Sequence, residues 1–427
     1  NYSKAPIFAA AAAQLRTAFS FGKELGYHFA LGNEVPVLVP GSPPPSDFAA
    51  RQAVYEGVFT WLNRTGLAAH LDYYWMWTQE TWPGRRSADL PAGSPPLSPS
   101  SPWVQEPLED FRAANAARKS LQAPFKLATG GWTLGPLHNR TAWDSLPLDD
   151  FAIGSIDEGL GDADVETAYG QVQQGRETWQ INWMEHDSSM TQPQVWVDRT
   201  LRHLADSEKY GVRAALGIHW RIAAVAMNMY ALARGGWSET SNTTSSRAML
   251  AQFFAGELGS ASLGHQAATI VSDVDGCGTF ANAEQCPPTK QKLPQPVFEC
   301  CPGPFMPIDT ISIGKGDNDG IDRRDLCSIS GPRWNFVGGF SKLGAEVVSS
   351  QHQSRFEYWN ESFYYWRSIA DLECVWQRYE DAASRVRNMS SPGERQAAAN
   401  DTLLPLRVEI VSAAEATTTH QLQLLSD

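Results

Sequence analysis

The sequence predicts an α/β fold, a (β/α)8 TIM barrel lacking its first two strands in this chain, followed by a disulfide-stapled and helical C-terminal region. Three observations carry that expectation. Apolar, β-rich runs alternate with helical patterns as far as about residue 235, as βαβ units on a parallel sheet do. No Gly-rich phosphate loop opens the alternation, which disfavours a doubly wound nucleotide-binding sheet. Six such runs are present, whereas a closed barrel of this type has eight.

The elements follow in order. A helical pattern at Lys4–Lys23 leads into the first run, Phe29–Val39. The later runs are His70–Thr78, Pro124–Trp132, Phe151–Asp157, Thr178–Met184 and Arg213–Trp220. Helical patterns lie between them at Asp47–Asn63, Leu108–Leu121, Val165–Gln174 and Gln194–Tyr210, with a weaker one near Asp144. Because the chain opens on a helix, the runs count as strands three to eight. A companion polypeptide or a cleaved segment is expected to supply the first two, since an open ring exposes unpaired edges and core side chains. Residues 1–235 are thus the barrel, 236–340 a Cys/Gly/Pro-rich excursion, and 341–427 a helical appendage. The appendage carries an amphipathic Trp/Tyr-rich helix at Ser354–Arg387 and a β-like segment at Pro405–Ala414. The Ser/Pro-rich stretch Ala92–Pro102 falls after a strand end, the side on which barrels carry binding loops.

Composition narrows the function. With 42% apolar and 19% charged residues, the 427-residue chain can bury a sizeable core. A net charge of −13 gives no basic footprint for nucleic acid, and no apolar run approaches the ~20 residues of a membrane span. Seven Asn-x-Ser/Thr sequons, at Asn1, Asn63, Asn139, Asn242, Asn360, Asn388 and Asn400, point to a secreted or extracellular, cell-surface or wall, or lysosome/vacuole-like location. The cysteines Cys277, Cys286, Cys300, Cys301, Cys327 and Cys374 are even in number, and the first five share one loop-like stretch with no C-x-x-C pair and no His. Disulfides are therefore expected rather than zinc. The acidic stretch Asp317–Asp325 misses the spacing of a calcium loop, and neither a metal nor a cofactor is expected.

Barrel enzymes carry their reacting groups at the C-terminal ends of strands. The second run continues Tyr73-Tyr-Trp75-Met-Trp77-Thr-Gln79-Glu80-Thr-Trp82, a carboxylate among indoles, where desolvation would raise its pKa toward that of a general acid. The fifth run ends Trp183-Met-Glu185-His186-Asp187. Two carboxylates across a barrel mouth can flank a glycosidic bond, one donating a proton and the other attacking the anomeric carbon. Glu80 and Glu185 are the candidates for those roles, with Asp187 in reserve. Trp75, Trp77, Trp132, Trp183 and Trp220 offer faces for sugar rings. Asn33, Glu34, Gln79, Asp157, Glu158, Asp187, His219 and Arg221 are the polar subsite candidates. The bland alternatives are an exposed loop Glu at 80 and a helix cap at 185–187. Two other functions compete: a substrate-assisted hexosaminidase using Asp157 and Glu158, and a catalytically inactive barrel serving as a carbohydrate-binding or wall/matrix glycoprotein.

The glutamates that close the second and fifth runs resemble those of the retaining (β/α)8 glycosidases of clan A. More closely, Tyr73–Trp82, Gly175-Arg176, Trp183–Asp187, Pro193–Trp196 and Gly217–Arg221 are similar to a poorly characterised group of predicted glycosidases. The similarity spans roughly residues 20–235 and, more loosely, the later helix and Leu404–Val408. It implies a barrel fold, a carbohydrate substrate and a double displacement carried by Glu80 and Glu185. Gln79 stands where that pattern has Pro, and His186 where it has an acid.

Overall fold

A computed structural model of the protein describes residues 5–37, 45, 47–78, 102–130, 144–156, 167–172, 174–185, 195–212, 214–219, 223–237, 245–272, 275 and 334–426. Each β-rich run forms one strand: β1 (Ala30–Val35), β2 (Tyr73–Thr78), β3 (Lys126–Gly130), β4 (Phe151–Ile156), β5 (Thr178–Trp183) and β6 (Ala214–Ile218). They lie in one sheet in sequence order. The pairings from β1 to β5 are parallel, with Gly32 opposite Trp75 and Ala128 opposite Ala152. Parallel neighbours need a crossover between them. Helices α2 (Phe48–Arg64), α3 (Pro102–Ser120) and α4 (Val197–Lys209) lie in three of these connections, and α1 (Ala5–Glu24) precedes β1.

The expected closed ring is corrected by this topology. Among the described residues the sheet has six strands, and β1 and β6 are its edges rather than neighbours. The sequence contains six β-rich runs, each used once, and six strands in this order leave an open arc. The expected C-terminal architecture is corrected as well. Residues 334–426 form helices and short helical turns: α8 (Asn335–Ser341), α9 (Ser350–Arg387), α10 (Pro392–Ala398) and α11 (Leu404–Ser426). The predicted β-like segment Pro405–Ala414 lies inside α11. There, Leu406 is buried, Arg378 of α9 donates to Glu409 at 2.8 Å, and His420 meets Glu361 of α9 at 2.9 Å. Packing along α9 thus overrides the β preference of Val408, Ile410 and Val411. Cys277, Cys286, Cys300, Cys301 and Cys327 lie outside the described residues, and Cys374 stands on α9; the described part of the predicted excursion is helical at Ser246–Leu258 and Ala261–Val271. The helical pattern at Val165–Gln174 yields a 3-10 turn, Thr167–Gln171.

Two compact units divide the chain: Asn1–Glu158 with Val165–Asn182 and Asp206–Leu216, and Gly159–Asp164 with Trp183–Ala205 and Gly217–Asp427. In the first, Asp47 caps α2 by accepting from the Ala50 N–H at 2.9 Å. Phe59 of α2 meets Tyr74 of β2 edge-on at 4.9 Å and Phe125 at 5.1 Å. Leu108, Phe111, Met76, Leu127 and Phe151 complete that core. Its rim is charged. Asp150 accepts from Arg118 at 2.5 Å and Asn115 at 2.9 Å and pairs with Lys119 at 2.6 Å; Asp72 accepts from Lys23 at 2.5 Å and the Phe29 N–H at 2.8 Å.

In the second unit, α5 (Ala226–Gly236), α6 (Ser246–Leu258) and α7 (Ala261–Val271) precede α8. Ser245, Ser260 and Ser349 cap α6, α7 and α9, and Gly259 ends α6 at a φ of +73° that L-residues with side chains rarely adopt. Phe254, Phe340, Phe356, Trp359 and Phe363 are its buried centre. None of the described helices is long and apolar enough to cross a membrane.

Burial works against the charge on Asp72 and Asp150. The hydrogen bonds from Lys23 and the Phe29 N–H to the first, and from Lys119 and Asn115 to the second, together with the cations' own charge, outweigh it and hold both carboxyls below the usual 3.8. A depressed carboxyl contributes stability that is complete above its ordinary value and lost as pH falls below it. The first unit is therefore expected to loosen as pH drops below 3.8. Asp150→Asn should flatten that acid limb in a CD titration, and an identical limb in the variant rules the linkage out.

Candidate active site

Alternation along the strands sorts the side chains of the first unit. Tyr74 and Met76 join the core beneath α2 and α3, while Tyr73 and Trp75 face the other side with Ala128, Ala152, Trp179 and Ala214. On that inner side Trp75 and Trp77 meet at 4.9 Å with planes 67° apart. The absence of a side chain at Gly130 makes room for the Trp75 indole: a Cβ there would stand 3.0 Å from Trp75 Nε1 and 3.2 Å from Ile181 Cδ1. Among the described residues, the buried Trp75 indole N–H has no hydrogen-bond partner.

Near the N-terminal ends of β2 and β5 the polar groups satisfy one another. Glu177 Oε1 accepts from the Tyr73 hydroxyl and, at 3.0 Å, from Trp179 Nε1. Burial, then the hydrogen bond to Glu177, raises the Tyr73 hydroxyl well above its ordinary pKa. This is the end at which barrel-type sheets carry stabilising rather than reacting groups. Asn33 is committed as well, since Tyr74 donates its hydroxyl to Asn33 Oδ1 and Asn33 Nδ2 donates to the Glu34 carbonyl at 2.5 Å. The Glu34 side chain is exposed on β1.

Glu185 belongs to the second unit, where it and Trp183 are buried at 0% and 2% exposure. Between them, Met184 is fixed on three sides. Its N–H donates to the Ile218 carbonyl at 3.0 Å, and its carbonyl accepts from Asn228 Nδ2 at 2.7 Å. Its side chain packs where Gly217 lacks one: a Cβ at 217 would stand 2.9 Å from Met184 Cγ and from Leu232 Cδ2 of α5. Met184 and Glu185 form the bend that follows β5. Asn228 is fully buried, and its Oδ1 accepts the Trp196 N–H at 2.8 Å. Arg199 lies over the Trp196 ring at 3.8 Å. His219 follows β6 and is half-buried.

The structure thus groups Trp75 with Trp77, and buries Trp183 and Glu185 in the second unit. Glu80, Gln79, Trp132, Asp157, Glu158, Asp187, Trp220 and Arg221 lie outside the described residues, as do Asn1, Asn139 and Asn242. Of the other sequons, Asn63, Asn388 and Asn400 are exposed, whereas Asn360 is partly buried with its Oδ1 shielded from solvent. Sequence reasoning missed Asn228. The one signal was an amide set among the apolar residues Met227, Tyr230 and Ala231 of a helix. Among the described residues, no group of three or more His, Cys, Asp or Glu could hold a metal ion.

No protein-family model matches the chain, and no curated protein does. Among solved structures, the chain is similar to a GH138 enzyme targeting pectin rhamnogalacturonan II, at 11% identity and a TM-score of 0.40. That match covers 91% of this chain and 62% of the other, so the chain spans less than two thirds of that enzyme's length. A likeness this distant carries no argument about activity, and the chemistry rests on the residues.

Trp75 and Gly130 offer a direct test of the inner face. Gly130→Ala should push the indole out of place, costing about 1–3 kcal/mol as overpacked cores do. Urea unfolding together with near-UV CD of the tryptophans measures both effects, and an unaltered aromatic spectrum contradicts the close packing.

Proposed function

We propose that the protein is a glycoside hydrolase that cleaves a poly- or oligosaccharide, or a glycoconjugate, by retaining double displacement. The observation that supports this most is Glu185, a fully buried carboxylate just past the end of β5, preceded by Met184, which is held through its N–H, its carbonyl and its side chain. Burying a carboxylate costs several kcal/mol before any compensation, so carboxylates held this way concentrate where their chemistry is used. The Trp183 indole suits a sugar ring, whose apolar face stacks on aromatics.

In this reading Glu80 donates its proton to the leaving-group oxygen as a Glu185 oxygen attacks the anomeric carbon, forming a glycosyl ester and releasing the aglycone. Glu80, now a carboxylate, takes a proton from water, whose oxygen displaces Glu185 and restores both groups. The exposed sequons at Asn63, Asn388 and Asn400 support a secretory route. The open six-stranded sheet favours one second reading, a carbohydrate-binding glycoprotein without turnover.

Turnover of a panel of aryl glycosides decides between them. Glu185→Gln should lower kcat by ~10³-fold or more, since the ester no longer forms, and Glu80→Gln should slow substrates with poor leaving groups most. Sugar binding by the wild type without any turnover leaves the second reading.

A further polypeptide segment belongs to the same proposal. On α1, Ile7, Phe8 and Phe21 are 68%, 56% and 62% exposed, and β1 is an edge strand. An additional β/α segment would cover both the apolar surface and the unpaired edge. Native mass spectrometry of protein from its natural source should show extra polypeptide mass, covalent or associated; a mass equal to this glycosylated chain alone refutes that part.

A further inference from the structure

We infer that Asn228 is a positioning residue for Glu185, acting through the peptide that joins Met184 to it. The inference rests on the reading of Glu185 as the reacting carboxylate and adds a residue that no sequence motif marked. Asn228 sits on α5 with no exposed surface and uses both ends of its amide. Nδ2 donates to the Met184 carbonyl at 2.7 Å, and Oδ1 accepts from the Trp196 N–H at 2.8 Å. One side chain thus ties the end of β5 to the residue before α4.

The geometry limits what that tie can do. The Met184 carbonyl belongs to the peptide unit whose nitrogen is that of Glu185. That unit is planar, so fixing the direction of its C=O fixes the direction of the next N–H and the start of the Glu185 backbone. The Met184 N–H is already bound to Ile218, and its side chain is seated against Gly217 and Leu232. The Asn228 amide adds a hold on the 184–185 peptide plane itself. A reacting carboxylate gains from such a hold because its orientation is set before a ligand arrives. A side-chain amide can donate to a carbonyl and accept from an N–H at once, through two separate atoms.

The test uses the full-length glycosylated protein, the aryl glycoside it turns over fastest, and 13C-labelled Glu carboxyls with the Glu185 resonance assigned by its loss in Glu185→Gln. Asn228→Leu removes both hydrogen bonds at similar volume, and Asn228→Ser is the gentler substitution should the first not fold. Phe340→Leu, a core change elsewhere in the second unit, serves as the control for lost stability. The expected result is a kcat loss of about 10²-fold at unchanged KM in the Asn228 variants, with a displaced Glu185 resonance, since a misplacement of ~1 Å costs that much. The Phe340 variant should lower Tm and leave resonance and kcat in place. An unmoved Glu185 resonance in both Asn228 variants, or the same displacement in the Phe340 variant, overturns the proposal. Should Glu185→Gln keep full turnover, the reading of Glu185 as the nucleophile falls instead, while the resonance still reports whether Asn228 sets its orientation.

Discussion

A strand that is covered on both faces must send every second side chain to the same environment, and this constraint orders most of what the sheet does. Tyr74 and Met76 are drawn into the aromatic and aliphatic core beneath α2 and α3, so Tyr73 and Trp75 have no choice but the opposite face. Glycine at 130 leaves the volume that the Trp75 indole fills. One side chain with a fixed berth therefore orients its neighbours without touching them.

Much of the fold was legible because strands with two covered faces read as apolar runs and helices as amphipathic stretches. All six strands fall within the runs the sequence marked, and α1, α2 and α4 fall on or near their predicted patterns. What misled was closure and the tail. Whether a row of strands bends into a ring depends on how many there are and how they stagger, and six runs in order form an arc as well as part of a circle. The segment around Val408–Val411 has the β-branched composition of a strand. Its state is decided by contacts far away in sequence, with Glu361 and Arg378 of α9, which local preference does not contain.

The candidate site was legible in residue type and less so in support. The aromatic run at Tyr73–Trp77 and the acidic end at Glu185 announce themselves by composition. Asn33 looked like a ligand-facing amide, yet its Oδ1 is held by the Tyr74 hydroxyl across the β1–β2 pair. Asn228 gave almost no signal, because its importance lies in two main-chain partners 32 and 44 residues away. Residues that act on a backbone carbonyl leave no pattern in a single sequence, since the carbonyl belongs to every residue type.

Amides age by hydrolysis to carboxylates, and at Asn228 that change would set a negative oxygen 2.7 Å from the Met184 carbonyl, turning attraction into repulsion. The same environment defends against it. The usual route passes through a cyclic imide that requires the following backbone nitrogen to swing onto the side chain, and a helix forbids that swing. Water, the other reagent, has no access to a group with no exposed surface. Spontaneous deamidation should therefore begin at an exposed asparagine just beyond a helix, such as Asn388, and the clamp behind Glu185 should be among the last to decay.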